Sequence, residues 1–166
     1  MSDIAMRHPA LETAYSVIPV GWVREGRGDP GQSDYWGQVV STIEVDARFG
    51  DRCLSGLDGF SHVEIVFHFH LTSEQDDYLE PRRPRERADL PAVGIFAERG
   101  PRRPNRLGIS KCEIVSAAGR LLRVRALDAV VGTPVLDIKP VMREFLPAHV
   151  EQPPWVGMLL SDYFRP

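Results

Sequence analysis

The fold is decided by the stretch Ile109-Ser110-Lys111-Cys112-Glu113-Ile114-Val115-Ser116-Ala117-Ala118-Gly119-Arg120-Leu121-Leu122-Arg123-Val124-Arg125-Ala126-Leu127. Apolar and polar residues alternate on both sides of its centre, Ala117-Ala118-Gly119-Arg120. Alternation with a period of two is typical of a half-buried strand, and a short glycine-containing connection between two such runs indicates a hairpin. The stretch therefore predicts antiparallel strands at 109–116 and 120–127.

Five further runs have the strand pattern, and they lie at 16–24, 38–45, 62–71, 93–97 and 133–138. Seven short strands without intervening helices predict an all-β fold, a small and mainly antiparallel barrel with short helical turns. We expect one barrel domain at 15–140, an N-terminal arm at 1–14, and a C-terminal tail at 141–166 that packs on the barrel or on a partner subunit.

Composition sets the broad class of the protein. Its 166 residues are 43% hydrophobic, which suffices for the core of one domain. The sequence has neither a secretory signal pattern nor an apolar run of about 18 residues that would span a membrane, so we expect a cytoplasmic protein that is not in the membrane. Cys53 and Cys112 are predicted to be reduced thiols rather than a disulfide or metal pair.

A basic segment is concealed by the net charge of −3: between Glu80 and Arg106 stand eight arginines and four acids. The connection at 72–91 is too charged and too rich in proline to be buried, and it predicts a surface flap. The loop at 94–110 that follows combines glycine, proline and asparagine, which predicts a rigid cationic element suited to hold a ligand. Arginine binds phosphate and carboxylate well, so a solvated loop and an anionic partner such as nucleic acid both remain open.

Histidines line one side of the run at 60–70. Alternation puts His62, His68 and His70 on the side of Glu64. The opposite, core-facing side carries Val63, Ile65, Phe67 and Phe69. Histidines two positions apart on a strand can share a metal ion, but no further cluster completes a coordination sphere, and we favour a ligand pocket or a subunit interface and predict no metal site.

Two aspartates frame a Gly-Thr-Pro turn in the stretch at 127–140. Asp128 can cap a turn or contact a ligand, and Asp137 can cap a turn or pair with Arg or Lys139. The sequence contains no nucleophile elbow, Gly-rich phosphate loop, dinucleotide fingerprint or Cys-x-x-Cys pair, and it offers no obvious nucleophile.

Three ordered segments, at 59–70, 94–110 and 127–140, resemble the motifs of the TsaA-like or TrmO family. The resemblance extends over residues 15–140. It implies a homodimeric β-barrel methyltransferase that uses S-adenosyl-L-methionine. It further implies methylation of the exocyclic nitrogen of threonylcarbamoyl-adenosine next to the tRNA anticodon.

The resemblance also implies a set of site residues. The cofactor is expected against His70, Leu71, Arg99, Ile109, Ala126, Leu127 and Asp128, with Gln32 at the counterpart of an early Pro-Arg-Gln. Within this set we expect Arg99 to hold the methionine carboxylate. Asp128 would accept hydrogen bonds from ribose hydroxyls or the amino group, and Leu71 and Ile109 would flank the adenine.

The anionic substrate is expected to contact Arg102, Arg103, Asn105 and Arg106. Arg106 replaces the proline of the family's Asn-Pro-Ile-Gly. Methyl transfer from a sulfonium to nitrogen depends mainly on alignment and exclusion of water, and His70 is the candidate for shaping the pocket or accepting a proton. The alternatives are a small-molecule acceptor, a β-barrel that binds RNA or a nucleotide without catalysis, and a metal-dependent enzyme built on His68 and His70.

Overall fold

Six strands form a closed antiparallel barrel in the computed structural model, which describes residues 14–73, 75 and 80–165. The strands are β1 (Gly21–Glu25), β2 (Val40–Val45), β3 (His62–His68), β4 (Leu107–Ala118), β5 (Leu121–Arg125) and β6 (Pro134–Pro140). Their order around the barrel is β1-β2-β5-β4-β3-β6. The predicted N-terminal arm at 1–14 lies, except for residue 14, outside the described residues.

Helical structure is sparse in the described residues. One α-helix, α1 (Pro154–Leu159), follows the barrel. Short 3-10 turns occur at Ala47–Phe49, Leu57–Gly59, Pro84–Glu86, Ile95–Ala97, Pro104–Arg106 and Arg143–Phe145. No helix in the described part of the chain is long and apolar enough to cross a membrane.

The predicted all-β barrel is confirmed, with one strand fewer than expected. The prediction of a strand at 93–97 is wrong, because Val93 makes only an isolated bridge with Arg82 and Ile95–Ala97 is a 3-10 turn. In the closed barrel both edges of β3 are already paired, one with β4 and the other with β6. A seventh strand therefore has no free edge to join.

The core lies inside the barrel and is built from alternate residues of the strands. Val63, Ile65 and Phe67 of β3 are at most 1% exposed, and Phe69 packs against the same cluster. These four side chains are the ones that alternation had placed in the core. Cys112 is buried among them and Cys53 is exposed, and both are free thiols.

Gly108 of β4 is required by the ring of Phe67 across the β3–β4 pair. A Cβ at this position would stand 3.0 Å from Phe67 Cδ2 and closer still to two other ring atoms. The two residues are register partners. The start of β4 is thereby fixed against the core.

Strand direction determines where the connections meet. Since all neighbouring strands are antiparallel, β1, β3 and β5 end at the same end of the barrel, where β2, β4 and β6 begin. The connections at 26–39, 69–106 and 126–133 therefore meet at this end, which we call the loop end. Every predicted site residue lies in one of these connections, except Ile109, which lies near the start of β4.

The C-terminal tail also returns to the loop end. The Tyr35 N–H donates to the Asp162 carbonyl at 3.0 Å, and the Trp36 N–H donates to the Tyr163 carbonyl at 2.8 Å. Both acceptors belong to the segment after α1. The tail thus packs on the connection between β1 and β2 of its own barrel.

Candidate functional site

Asp128 lies in the connection at 126–133, at the loop end, and has partners from two other parts of the chain. Its Oδ1 accepts a hydrogen bond from the Ser110 hydroxyl, and its Oδ2 accepts one from the Tyr163 hydroxyl at 2.7 Å. Burial raises the pKa of Asp128, whereas the Tyr163 hydrogen bond and the Arg99 charge act in the opposite direction. The carboxyl group therefore bonds to two other side chains at the loop end.

Arg99 and Ile109 are brought to the same place. Arg99 Nη2 donates to the main-chain carbonyl of Ile109, which fixes the cationic loop on the start of β4. Ile109 directly precedes Ser110, the donor to Asp128. Three of the predicted cofactor residues thus form one group that contains a cation, a carboxyl group and an exposed apolar side chain.

His70 joins the histidine strand to the Gly-Thr-Pro turn. Its Nε2 is 3.6 Å from the point where a Cβ on Gly132 would stand. Burial lowers the pKa of His70, and burial, Arg106 and His70 lower that of His68. Both imidazoles are therefore neutral at neutral pH and able to accept a proton.

Metal binding finds no support among residues 14–73, 75 and 80–165, where no three His, Cys, Asp or Glu side chains come together as a ligand set. His68 instead accepts a hydrogen bond from Arg106 Nε at 3.5 Å. A cation in this position opposes the approach of a metal ion.

The other predicted cofactor residues differ in what they can offer. Ala126 has a φ of 66°, and its N–H donates to the Val39 carbonyl at 3.0 Å. The Leu127 side chain is fully buried in the core, so only its main chain faces the loop end. Leu71 is 60% exposed, and Gln32 is exposed with its carbonyl accepting from Arg27.

Several arginines of the basic segment bind within the protein. Arg85 makes a two-pronged pair with Asp34 at 2.8 and 2.7 Å. Arg103 Nη1 donates to the Glu98 carbonyl at 3.1 Å. Of the four residues predicted to bind substrate, Arg103 and Arg106 thus stabilise the loop, while Arg102 and Asn105 are exposed.

The turn before β4 has an unusual backbone. Asn105 and Arg106 have φ values of 62° and 48°, both in the left-handed region. Proline is locked near −65° and cannot adopt the conformation of Arg106. The replacement of the family's proline by arginine therefore goes together with a loop geometry that proline would forbid.

Asp137, the second aspartate of the turn region, lies on β6 and has a local role. It pairs with Lys139 and accepts a hydrogen bond from the Ile138 N–H at 2.9 Å. It contributes to the strand rather than to the loop end. This is the pairing with lysine that the sequence had left open.

Sequence reasoning missed Ser110 and Tyr163. Ser110 occupies a core-facing position of β4 and is 5% exposed, so alternation alone identifies it as a buried hydroxyl that needs a partner. Tyr163 gives no such signal, because its contact depends on the path of the tail.

An apolar cleft of about 540 Å³ opens at the other end of the barrel and is lined mainly by Val20, Val45, Phe49, Leu54, Leu57, Phe60, Ile138 and Pro140. Asp137 and Cys53 also line it, but none of the residues predicted to bind cofactor or substrate does. The chemistry-bearing side chains are grouped at the loop end, so we place the candidate site there.

Residues 22–145 match the family model described as tRNA-methyltransferase O N-terminal domain. The chain belongs to this TrmO family. A solved relative supports the assignment at the level of structure: the crystal structure of TrmO from Pseudomonas aeruginosa has a TM-score of 0.64 and 28% identity, over 84% of this chain and 62% of that one.

Two curated relatives extend the comparison. A probable S-adenosyl-L-methionine-binding protein of Pyrococcus abyssi is 35% identical over 76% of this chain and 68% of its own length. The human tRNA (adenine(37)-N6)-methyltransferase is 31% identical over 87% of this chain and 34% of its own length. The chain thus spans about a third of the human TrmO relative and most of the archaeal one.

Proposed function

We propose that the chain is an S-adenosyl-L-methionine-dependent N-methyltransferase with its cofactor site at the loop end. The observation that carries the proposal is the grouping of Arg99, Ile109 and Asp128, which come from different connections and from β4. The names of the relatives in Pyrococcus abyssi and in human support the same cofactor and reaction.

The residues at the loop end fit the chemical groups of S-adenosylmethionine. Arg99 supplies a cation for the methionine carboxylate. A carboxylate has about four lone-pair positions, so Asp128 can accept from a ribose hydroxyl or the amino group while it keeps its present two donors. Leu71 and Ile109 offer exposed apolar surface for the adenine.

The cofactor supplies a methyl group on a positively charged sulfur, and the chain supplies alignment. The loop anchored by Arg99 orients the acceptor side of the site. His70, neutral and next to Gly132, is able to receive the proton released from the acceptor nitrogen. The cationic loop at 94–106 and the C-terminal tail, which both lie at the loop end, would exclude water from the site.

We propose as acceptor the exocyclic nitrogen of threonylcarbamoyl-adenosine next to the tRNA anticodon. The name of the human relative, which specifies N6 of adenine 37 of tRNA, supports this choice. Arg102 and Asn105 are exposed on the same connection as Arg99 and are available to an anionic substrate. A tRNA substrate agrees with the predicted cytoplasmic location, which stays a prediction.

We extend the proposal to a homodimer. Leu107 and Ile109 point outward from β4 beside the loop end, and Phe96 is 79% exposed nearby in sequence. Leu107 and Ile109 lie on the same face of β4, and adjacent exposed apolar side chains are typical of an interface. Sedimentation analysis would reveal a species of twice the chain mass, and a strictly monomeric protein would contradict the proposal.

A small-molecule acceptor is the second candidate. It is favoured by the internal partners of the arginines in the basic segment, since Arg85, Arg103 and Arg106 already bind other groups of the protein. Mass spectrometry of digested tRNA from cells with and without the gene distinguishes the two acceptors. Loss of the methylated nucleoside supports tRNA, and an unchanged nucleoside profile contradicts it.

Arg99→Ala is expected to weaken S-adenosylmethionine binding by about 10- to 100-fold, because a charged hydrogen bond contributes roughly 1.5–3 kcal/mol. Isothermal titration calorimetry measures the affinity. Arg102→Ala is the matched control, since this exposed arginine lies on the same loop and should leave cofactor affinity unchanged. Equal affinities for the Arg99→Ala variant and the wild type would contradict the carboxylate role.

A further inference from the structure

Tyr163 is the one side chain of the C-terminal tail that bonds to Asp128 in the described residues. Its hydroxyl donates a hydrogen bond to Oδ2 of Asp128 at 2.7 Å, while the hydroxyl of Ser110 on β4 donates to Oδ1. Both oxygens of the carboxyl group are thus held from different sides, one from the barrel wall and the other from the tail. Torsion of the carboxyl group about its Cβ–Cγ bond would break both bonds.

The tyrosine is itself held firmly in place. The main-chain bonds of Asp162 and Tyr163 to the connection between β1 and β2 fix its backbone. Its ring packs edge-on against Phe164, with 4.9 Å between centroids, and lies 5.9 Å from the guanidinium carbon of Arg85. Arg85 in turn pairs with Asp34.

The charge of Asp128 depends on this contact. Burial raises the pKa of Asp128, and the Tyr163 hydrogen bond is the strongest of the influences that lower it. Burial and the Asp128 charge raise the pKa of Tyr163, so its hydroxyl stays protonated and remains a donor. The tyrosine therefore favours the ionised form of a carboxyl group whose surroundings favour the neutral one.

We propose that Tyr163 is a positioning residue of the cofactor site, which holds the Asp128 carboxylate in the orientation that receives the cofactor's amino or hydroxyl groups. The inference rests on the proposed function, because it assumes that the loop end binds S-adenosylmethionine. It goes further by making the C-terminal tail a working part of that site. The tail acts through Asp128 and needs no contact with the cofactor itself.

Tyr163→Phe tests the proposal, since it removes the hydroxyl and keeps the ring that packs against Phe164 and Arg85. The affinity for S-adenosylmethionine, measured by calorimetry, is expected to fall by about tenfold, the equivalent of one hydrogen bond to a charged group. Tyr15→Phe is the matched control, because Tyr15 is 82% exposed.

The pH profile separates positioning from a merely structural role. Without the Tyr163 bond the pKa of Asp128 rises further, so binding that needs the carboxylate is lost at a higher pH than in the wild type. Carbon NMR of the Asp128 carboxyl group in the unliganded protein gives the same shift independently. Tyr163→Leu provides a second variant without a hydrogen-bond donor if Tyr163→Phe fails to fold.

The outcomes distinguish the two proposals. A wild-type protein that binds no S-adenosylmethionine contradicts the proposed function, and it also contradicts the role of Tyr163, which assumes cofactor binding. A wild type that binds, together with a Tyr163→Phe variant of equal affinity and equal pH profile, overturns the positioning role alone. A weaker variant with an upward-shifted profile supports it.

Discussion

Replacing Phe67 by alanine is expected to lower the free energy of unfolding by about 3–5 kcal/mol, the range measured for large aromatic side chains removed from a core. Phe67 is 1% exposed and stands between β4 and β6, while its ring packs edge-on against Phe69 with 5.2 Å between centroids. Its loss leaves a cavity inside a closed barrel, whose walls cannot easily move inward. Urea unfolding monitored by circular dichroism measures the change.

Phe145→Ala serves as the matched control, because Phe145 is 84% exposed and its loss should change the free energy of unfolding by less than about 0.5 kcal/mol. A double-mutant cycle sharpens the test. Gly108→Ala alone is expected to cost about 1–3 kcal/mol through its clash with the ring, and much less when Phe67 is already alanine. Strictly additive costs would show that the clash is relieved elsewhere.

Gly37→Ala is expected to release the C-terminal tail from the loop end. A Cβ at this position would overlap the main-chain oxygen of Phe164 and stand 2.8 Å from its carbonyl carbon. A backbone obstacle cannot be relieved by a side-chain rotation, so the tail must move. A strain of about 1–3 kcal/mol raises the population of the released tail by about 5- to 150-fold.

Amide hydrogen exchange reports this release directly. The N–H groups of Tyr35 and Trp36 donate to Asp162 and Tyr163, and their exchange should become faster in proportion. Gly28→Ala is the control within the same connection, since a Cβ there meets no atom within 4 Å. Unchanged protection at both amides in the Gly37→Ala variant would contradict the described path of the tail.

The strands were predictable because their signal is local. Alternation identified β4 and β5 as a hairpin, and it assigned the core side of β3 correctly. The same rule failed at 93–97, where an apolar run resembles a strand but the barrel is already closed. Whether a segment finds an unpaired strand edge depends on the whole sheet. The sequence pattern of that segment alone cannot predict it.

The residues of the candidate site also fall into two groups, those that local motifs predicted and those whose contacts are distant in sequence. The motifs predicted Arg99 and Asp128, which lie on connections next to the strands. Arg85 was counted in the basic segment between Glu80 and Arg106, and its partner is Asp34, 51 positions away in sequence. Tyr163 was missed for a similar reason, since its hydrogen bond spans 35 positions. Such pairings follow from the closure of the barrel and the return of the tail.

The alternating direction of consecutive strands has a consequence for how the sequence of such a protein can evolve. Because odd-numbered strands all end at one rim, the connections at 26–39, 69–106 and 126–133 lie together there, at the opposite end of the barrel from the hairpin at 119–120. Connections tolerate insertions and substitutions better than the elements they join. Under the proposed function, natural selection can therefore vary the residues that meet the acceptor at one rim and leave the hairpin at the other rim unchanged.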